Sequence, residues 1–314
     1  MVHVIGGDRL AGSRRKGGNA REALRLDWLN GDVAELRSAY ERACRVSDLD
    51  HCQWIEIAAA CSRLRALVHE PTRPVAHDCA IVYFHGGGWI VGSPATHADI
   101  SGALCEQTGL RVISVDYRLA PEHKAPAPVE DGMSALEFLL ADERGPDRLS
   151  SAFLCGDSAG GAIAMAVERR SKPSMRERIA GVVSFYAGFG LTRGESMELY
   201  GSREEGLDPA TIERYWALAH DAKGSSPYTI PALQSDSPVP VYLLVCGRDP
   251  LRDDSLAMAR ALRANGRDVA VDMVESGTHG FLHDGFGSSL ASDTLKRVGR
   301  WIEGKRNWNL NRRR

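Results

Sequence analysis

From residue 54 onward the chain alternates between short, nearly unbroken apolar runs and longer stretches in which apolar residues recur every three or four positions. The runs are Trp54–Ala58, Leu64–His69, Ala80–Phe84, Val112–Val115, the stretch at Phe153, Gly181–Tyr186, Val241–Val245 and Val269–Val274. Helical patterns lie between them at 95–106, 129–141, immediately after Ser158, at 254–264, and in a last segment with Leu295, Val298 and Ile302. Apolar runs without polar alternation mark strands covered on both faces, and their alternation with helices marks a mostly parallel sheet between two helical layers. The predicted fold class is therefore α/β.

Two regions interrupt this rhythm. Ahead of the first strand, Asn19–Asn30 carries Leu24, Trp28 and Leu29 as a helical pattern and stops at Gly31. Asp32-x-x-Glu35 then opens a second helix with Val33, Leu36 and Tyr40 on one face. Between 189 and 235 no strand pattern occurs, and Asp208-Pro209 starts a helix carrying Ile212, Tyr215, Trp216 and Ala219. So long an interruption in a compact domain is usually functional. Neither apolar face has a strand beside it in sequence, so the two are expected to bury against each other as a small helical cap. This divides the chain into a tail and cap helices over 1–50 and a core over 51–314 with a cap insertion at 189–235. A rival reading has the N-terminal helices forming a homodimer.

Composition narrows the partners. A chain of 314 residues with 43% hydrophobic and 25% charged residues can bury a large core, and a net charge of -2 leaves no electrostatic footprint for nucleic acid. Two basic clusters, Arg14–Lys16 and Arg312–Arg314, lie in terminal sequence and read as solvated tails. No apolar stretch reaches the ~18 residues of a membrane span, and the N-terminus lacks a signal peptide's apolar centre, so a cytoplasmic protein is expected. The seven cysteines are odd in number, show no C-x-x-C pair and lie mostly in apolar runs, which fits reduced packing thiols rather than disulfides or a zinc site.

The candidate chemistry centres on Phe153-Leu-Cys-Gly-Asp-Ser158-Ala-Gly-Gly161, where an apolar strand passes through Gly156-x-Ser158-x-Gly160 into a small-residue helix. A serine at so sharp a turn has its hydroxyl pushed out at the sheet edge, and the glycines are needed because a β-carbon would strike neighbouring backbone. A nucleophilic serine requires a base, a carboxylate to orient that base, and donors for an oxyanion. His279 follows the last strand and Asp249 follows the one before it, and parallel strands bring both loops to the serine's edge. Asp253 and Asp254 remain rivals to Asp249 as the carboxylate. His279 and His283 are four apart, a metal-pair spacing on a helix, but Gly277, Gly280 and Gly285 favour a loop, so no metal site is read here. The strand at 80–84 ends in His85-Gly-Gly-Gly-Trp89. A dinucleotide turn would need a third glycine at position 91, where the chain has Val91.

Taken together, His85-Gly-Gly-Gly-Trp89, Asp116-Tyr-Arg-Leu-Ala-Pro-Glu122, Gly156-Asp-Ser-Ala-Gly160, Asp249-Pro-Leu-Arg-Asp253 and His279-Gly-Phe281 resemble the hormone-sensitive-lipase-like (bacterial family IV) carboxylesterases, with all five motifs in order from about residue 79 onward. Gly247-Arg248 departs mildly from that pattern, where small or apolar residues are common. The resemblance implies an α/β-hydrolase fold, with Ser158 as nucleophile, His279 as base and Asp249 as orienting acid. It implies Gly87, Gly88 and Ala159 as oxyanion donors, and Asp116–Glu122 as a structural loop at the site's edge. It further implies hydrolysis of small carboxylic esters of short acyl chains without a cofactor. Trp89, Tyr215 and Trp216 are the candidate pocket residues. Amide or N-acetyl hydrolysis by the same triad is one alternative. A non-catalytic small-molecule receptor is the other; the plant gibberellin receptors resemble this fold but have lost the histidine that this chain keeps as His279.

Overall fold

The computed structural model describes residues 26–46, 49, 52–58, 63–141, 149–190, 194–202, 207–221 and 225–312. Strands β1 (Cys52–Ala58), β2 (Arg63–His69), β3 (Cys79–Phe84), β4 (Arg111–Asp116), β5 (Ser151–Asp157), β6 (Ile179–Phe185), β7 (Val241–Arg248) and β8 (Val269–Thr278) form one sheet in the order β1-β2-β4-β3-β5-β6-β7-β8. Pairing is parallel from β4 through β8, whereas β1 runs antiparallel to β2, and β2 to β4. Every expected strand is present. The helices are α1 (Val33–Cys44), α2 (Ala98–Thr108), α3 (Ala127–Ala141), α4 (Ala159–Arg170), α5 (Pro173–Arg176), α6 (Glu195–Tyr200), α7 (Pro209–Ala219), α8 (Ile230–Leu233), α9 (Arg252–Ala264) and α10 (Ser289–Arg312).

Because side chains alternate along a strand, the continuous apolar runs feed two cores at once. Val82, Leu154, Val182 and Leu243 face one way and pack with Leu136 of α3, Ile163 of α4 and Met258 of α9. Ile81, Tyr83, Phe153 and Val183 face the other way, with Leu104 of α2 and Leu295 and Val298 of α10. The six described cysteines, Cys44, Cys52, Cys79, Cys105, Cys155 and Cys246, are free thiols. Among the described residues no helix is long and apolar enough to cross a membrane.

The N-terminal segment departs from expectation in part. Helix α1 begins as the pattern implies, with the Asp32 carboxylate accepting from the N–H groups of Ala34 and Glu35 at 2.8 and 3.2 Å. Of the helix expected over Asn19–Asn30, Leu24 and its neighbours lie outside the described residues, and the described part is a turn. The Asp27 side chain accepts the Asn30 N–H at 3.2 Å and the Trp28 N–H turns back to Leu26 O at 2.9 Å, local alternatives to helical bonding, so that one helical-type bond, Gly31 N–H to Asp27 O, closes the turn. The cluster at 14–16 and residues 313–314 also lie outside the description. Between β6 and β7 the described residues form α6, α7 and α8, and α7 starts at Pro209 behind Asp208 as its pattern implies.

Candidate active site

In a parallel sheet the strand ends share one edge, and four of them supply this site. Strand β5 ends at Asp157, Ser158 takes φ 51° and ψ -120°, and α4 starts at Ala159. A β-carbon on Gly160 would overlap the Phe84 carbonyl, and one on Gly156 would overlap the backbone of Gly160, so the turn is packed against the end of β3 with no spare volume. The Ser158 N–H donates to Phe185 O at 2.8 Å, which fixes the turn to β6 as well. Ser158 Oγ lies 3.0 Å from His279 Nε2, and His279 Nδ1 donates to Asp249 Oδ2 at 2.8 Å. The second Asp249 oxygen accepts the Leu251 N–H at 2.8 Å, so the carboxylate cannot swing away.

The rivals are otherwise engaged. Asp253 accepts the Ser196 N–H and pairs with Arg252, while Asp254 accepts the Phe189 N–H. Burial of His279 opposes its charged form, yet the adjacent Asp249 outweighs this and holds the imidazole above its ordinary pKa. The expected loop around His279 is a strand end followed by a 3-10 turn, Phe281–Gly287, and His283 points to Asp99 at 3.3 Å instead of sharing a helix face with His279.

After β3, Gly87, Gly88 and Trp89 all have positive φ (108°, 59° and 65°), which folds the loop back so that the N–H groups of Ile90 and Val91 donate to Gly87 O. Ala159, as the first residue of α4, has no intrahelical acceptor for its N–H. Gly87, Gly88 and Ala159 line one cavity with Ser158 and His279. His85 braces the loop from behind. Its Nδ1 lies 2.7 Å from Gly86 O, its ring stacks on Tyr117 at 4.2 Å, and the Tyr117 hydroxyl donates to His85 O at 2.8 Å. Burial pushes the His85 pKa down to about 4, so this ring is neutral.

The opposite side of the cavity is aromatic. Trp89 is stacked between Trp216 at 5.1 Å and Tyr228 at 5.0 Å. Tyr215 lies so close over Gly88 that a β-carbon there would overlap its ring, and Trp28 meets both Tyr215 and Tyr40 edge-on at 6.0 and 5.9 Å. Two arginines hold the segments together. Arg214 of α7 donates to the carbonyls of Trp28 and Gly31, and Arg37 of α1 donates to the carbonyls of Ile90 and Ala120 and pairs with Glu122. The Asp116–Glu122 loop thus joins the glycine loop to α1, aided by Ala120 N–H to Trp89 O and by Arg118 on Asp131.

The cavity measures about 180 Å³ and brings together Trp89, Tyr215 and Trp216 as expected. It also includes Tyr40, which the sequence places on the face of the expected cap helix, and His97, Tyr186 and His283, of which only His283 carries a sequence signal, its spacing from His279. Beneath Ser158, Asp157 is buried; loss of hydration pushes its carboxyl up, and the Tyr83 hydroxyl donates to it at 2.6 Å.

A family model described as the alpha/beta hydrolase fold matches residues 81–283. Over 228 residues the chain is 30% identical to an acetyl esterase of Salmonella dublin, a match covering 70% of each protein. It is 32% identical over 229 residues to the carboxylic ester hydrolase LipN of Mycobacterium tuberculosis, covering 65% of this chain and 57% of LipN. A lipase 2 of a Moraxella species is matched over 58% of its length, so the chain spans little more than half of two of these curated relatives. Among solved structures, an esterase of Pyrobaculum calidifontis superposes with a TM-score of 0.79 at 26% identity, over 91% of this chain and 97% of that one.

Proposed function

The chain belongs to the alpha/beta hydrolase fold family, in its hormone-sensitive-lipase-like branch, and from that membership we propose that it hydrolyses small carboxylic esters through an acyl-enzyme on Ser158. The observation that carries this reading is the unbroken line Ser158 Oγ, His279, Asp249, with separations of 3.0 and 2.8 Å. Ser158 Oγ attacks the ester carbonyl while His279 Nε2 takes its proton. Asp249 holds the Nδ1–H tautomer and stabilises the imidazolium. The N–H groups of Gly87, Gly88 and Ala159 receive the oxyanion of the tetrahedral intermediate. His279 then protonates the departing alcohol, and a water activated by the same ring releases the acid.

The aromatic contacts support treating α1, the turn before it and the 189–235 insertion as a cap over this edge, with Trp89, Tyr215 and Trp216 as pocket wall. A cavity of about 180 Å³ walled by these rings favours short acyl chains. The engagement of His279 with both Ser158 and Asp249 argues against the receptor alternative.

The test is a panel of p-nitrophenyl esters of rising chain length beside an acetanilide, with a fluorophosphonate probe mapped by peptide sequencing. Ester turnover and label on Ser158, both lost in Ser158→Ala while the circular dichroism is unchanged, is the expected result. Label on another serine, or turnover by the variant, would overturn the assignment, and faster cleavage of the anilide would move the protein to the amide reading. Deleting residues 1–45 should lower kcat/KM for the short esters; unchanged kinetics with a halved mass in light scattering would support dimerisation in place of a cap.

A further inference from the structure

Behind the nucleophile, three side chains that the proposed hydrolysis does not use converge on one point. His97, which precedes α2, Asp157 at the end of β5 and His283 in the 3-10 turn each present one ligand-type atom, all within 4.8 Å of one another, and all three residues line the cavity. The second donor atom of each is already fixed. His97 Nδ1 lies 2.8 Å from Thr96 Oγ1, whose own proton goes to Ser93 O, so Nδ1 must be the protonated nitrogen and Nε2 carries a lone pair. His283 Nδ1 faces Asp99 Oδ2 at 3.3 Å, and Asp99 Oδ1 is held by the Ile100 N–H, which leaves His283 Nε2 as its atom for the cluster. Asp157 Oδ1 accepts the Tyr83 hydroxyl and the carboxylate also accepts the Gly86 N–H, while Oδ2 faces His97.

His97 Nε2 and Asp157 Oδ2 thus confront each other at 3.6 Å, lone pair against carboxylate. That separation is too long for a hydrogen bond, and in the same site His279 and Asp249 close to 2.8 Å. Two ligands on a tetrahedral ion at ~2.1 Å would stand about 3.4 Å apart, so this pair already has the spacing of metal ligands. The rest of the set needs to draw in by no more than about 1.4 Å to reach it. We propose that His97, Asp157 and His283 form a binding site for a divalent transition-metal ion of the zinc class, with Thr96, Tyr83 and Asp99 as the outer partners that orient them. Two imidazoles and one carboxylate suit zinc or iron(II) better than calcium or magnesium, which prefer oxygen alone. The Tyr186 hydroxyl, which lines the same cavity, is buried with no hydrogen-bond partner among the described residues.

The experiment titrates zinc into the untagged full chain with a chromophoric zinc indicator as competitor. Wild type should bind one zinc per chain, and cobalt(II) should give the visible absorption of a tetrahedral ion. Asp99→Asn should weaken binding about 10- to 100-fold, the range for loss of an outer partner. His283→Gln should abolish the stoichiometric site, with circular dichroism reporting the fold and His97→Gln as replacement if that variant fails to fold. Ser158→Ala should bind zinc like wild type, so failure of this site and failure of the hydrolase reading are separate results. Absence of one-to-one binding in wild type, or binding unaffected by Asp99→Asn, would overturn the proposal. The first would leave a proton or water between His97 and Asp157, and the second would put the ion elsewhere, as on His279.

Discussion

The two walls of the cavity are assembled by different means. On the polar wall, Ser158, Asp249 and His279 each stand one residue beyond the end of a parallel strand, and their positions follow from the register of β5, β7 and β8. On the aromatic wall, Trp28, Tyr40, Tyr215 and Trp216 come from segments outside the sheet. They are held by ring contacts and by Arg214, whose bond to Trp28 O spans 186 residues of sequence. The first wall is specified by backbone geometry, so a change there should remove chemistry and spare the fold. The second is specified by packing, so a change there should rescale selectivity.

The largest effect is expected on the polar wall. Asp249→Asn should lower kcat by about 10⁴-fold through the wrong histidine tautomer, with little change in KM; steady-state kinetics showing less than a tenfold loss would break the distinction. Next comes pH. Because Asp249 holds His279 above its ordinary pKa, and the proposed base is the neutral ring, activity should be present above that raised pKa and lost as pH falls through it. The kcat/KM profile should therefore fall about tenfold per pH unit below an inflection higher than ~6.5. An inflection at or below 6.5 would contradict the coupling.

On the aromatic wall, Tyr215→Ala should cost the shortest esters about tenfold in kcat/KM and shift the preferred acyl length upward. A uniform loss across chain lengths would instead mean that the ring only braces Gly88. The smallest effect is expected from Arg37→Ala, which unties α1 from Ile90 and Ala120 while leaving the serine untouched. A melting temperature lower by about 2 °C, a KM raised a few-fold and an unchanged kcat would sharpen the comparison. A fall in kcat would show that the walls are mechanically one.

The same contrast governs how far the sequence could be read. Runs such as Ala80–Phe84 announce strands because both sheet faces are covered, and glycines at 156 and 160 announce the turn because nothing larger fits against Phe84. Asp249 could not be told from Asp253 and Asp254 by type, since only the fold decides which carboxylate meets His279. The antiparallel direction of β2 against β4 leaves no mark on an apolar run. Tyr186 enters the cavity, and His97 meets His283, through tertiary contacts alone. The turn at 26–31 replaces a helical pattern where the Asp27 carboxylate captures the Asn30 N–H and the Trp28 N–H turns back to Leu26 O.

The bond between Ser158 and His279 crosses 121 residues, and the histidine directly follows the last of the eight strands. On a ribosome adding about 5–20 residues per second, the serine is made roughly 6 to 24 s before its base. During that interval β3, β5 and β6 can assemble around a hydroxyl with no group to take its proton. Under the proposed roles, hydrolytic competence is therefore gained only once all eight strands have been made, and a chain released before residue 279 would be inert toward esters.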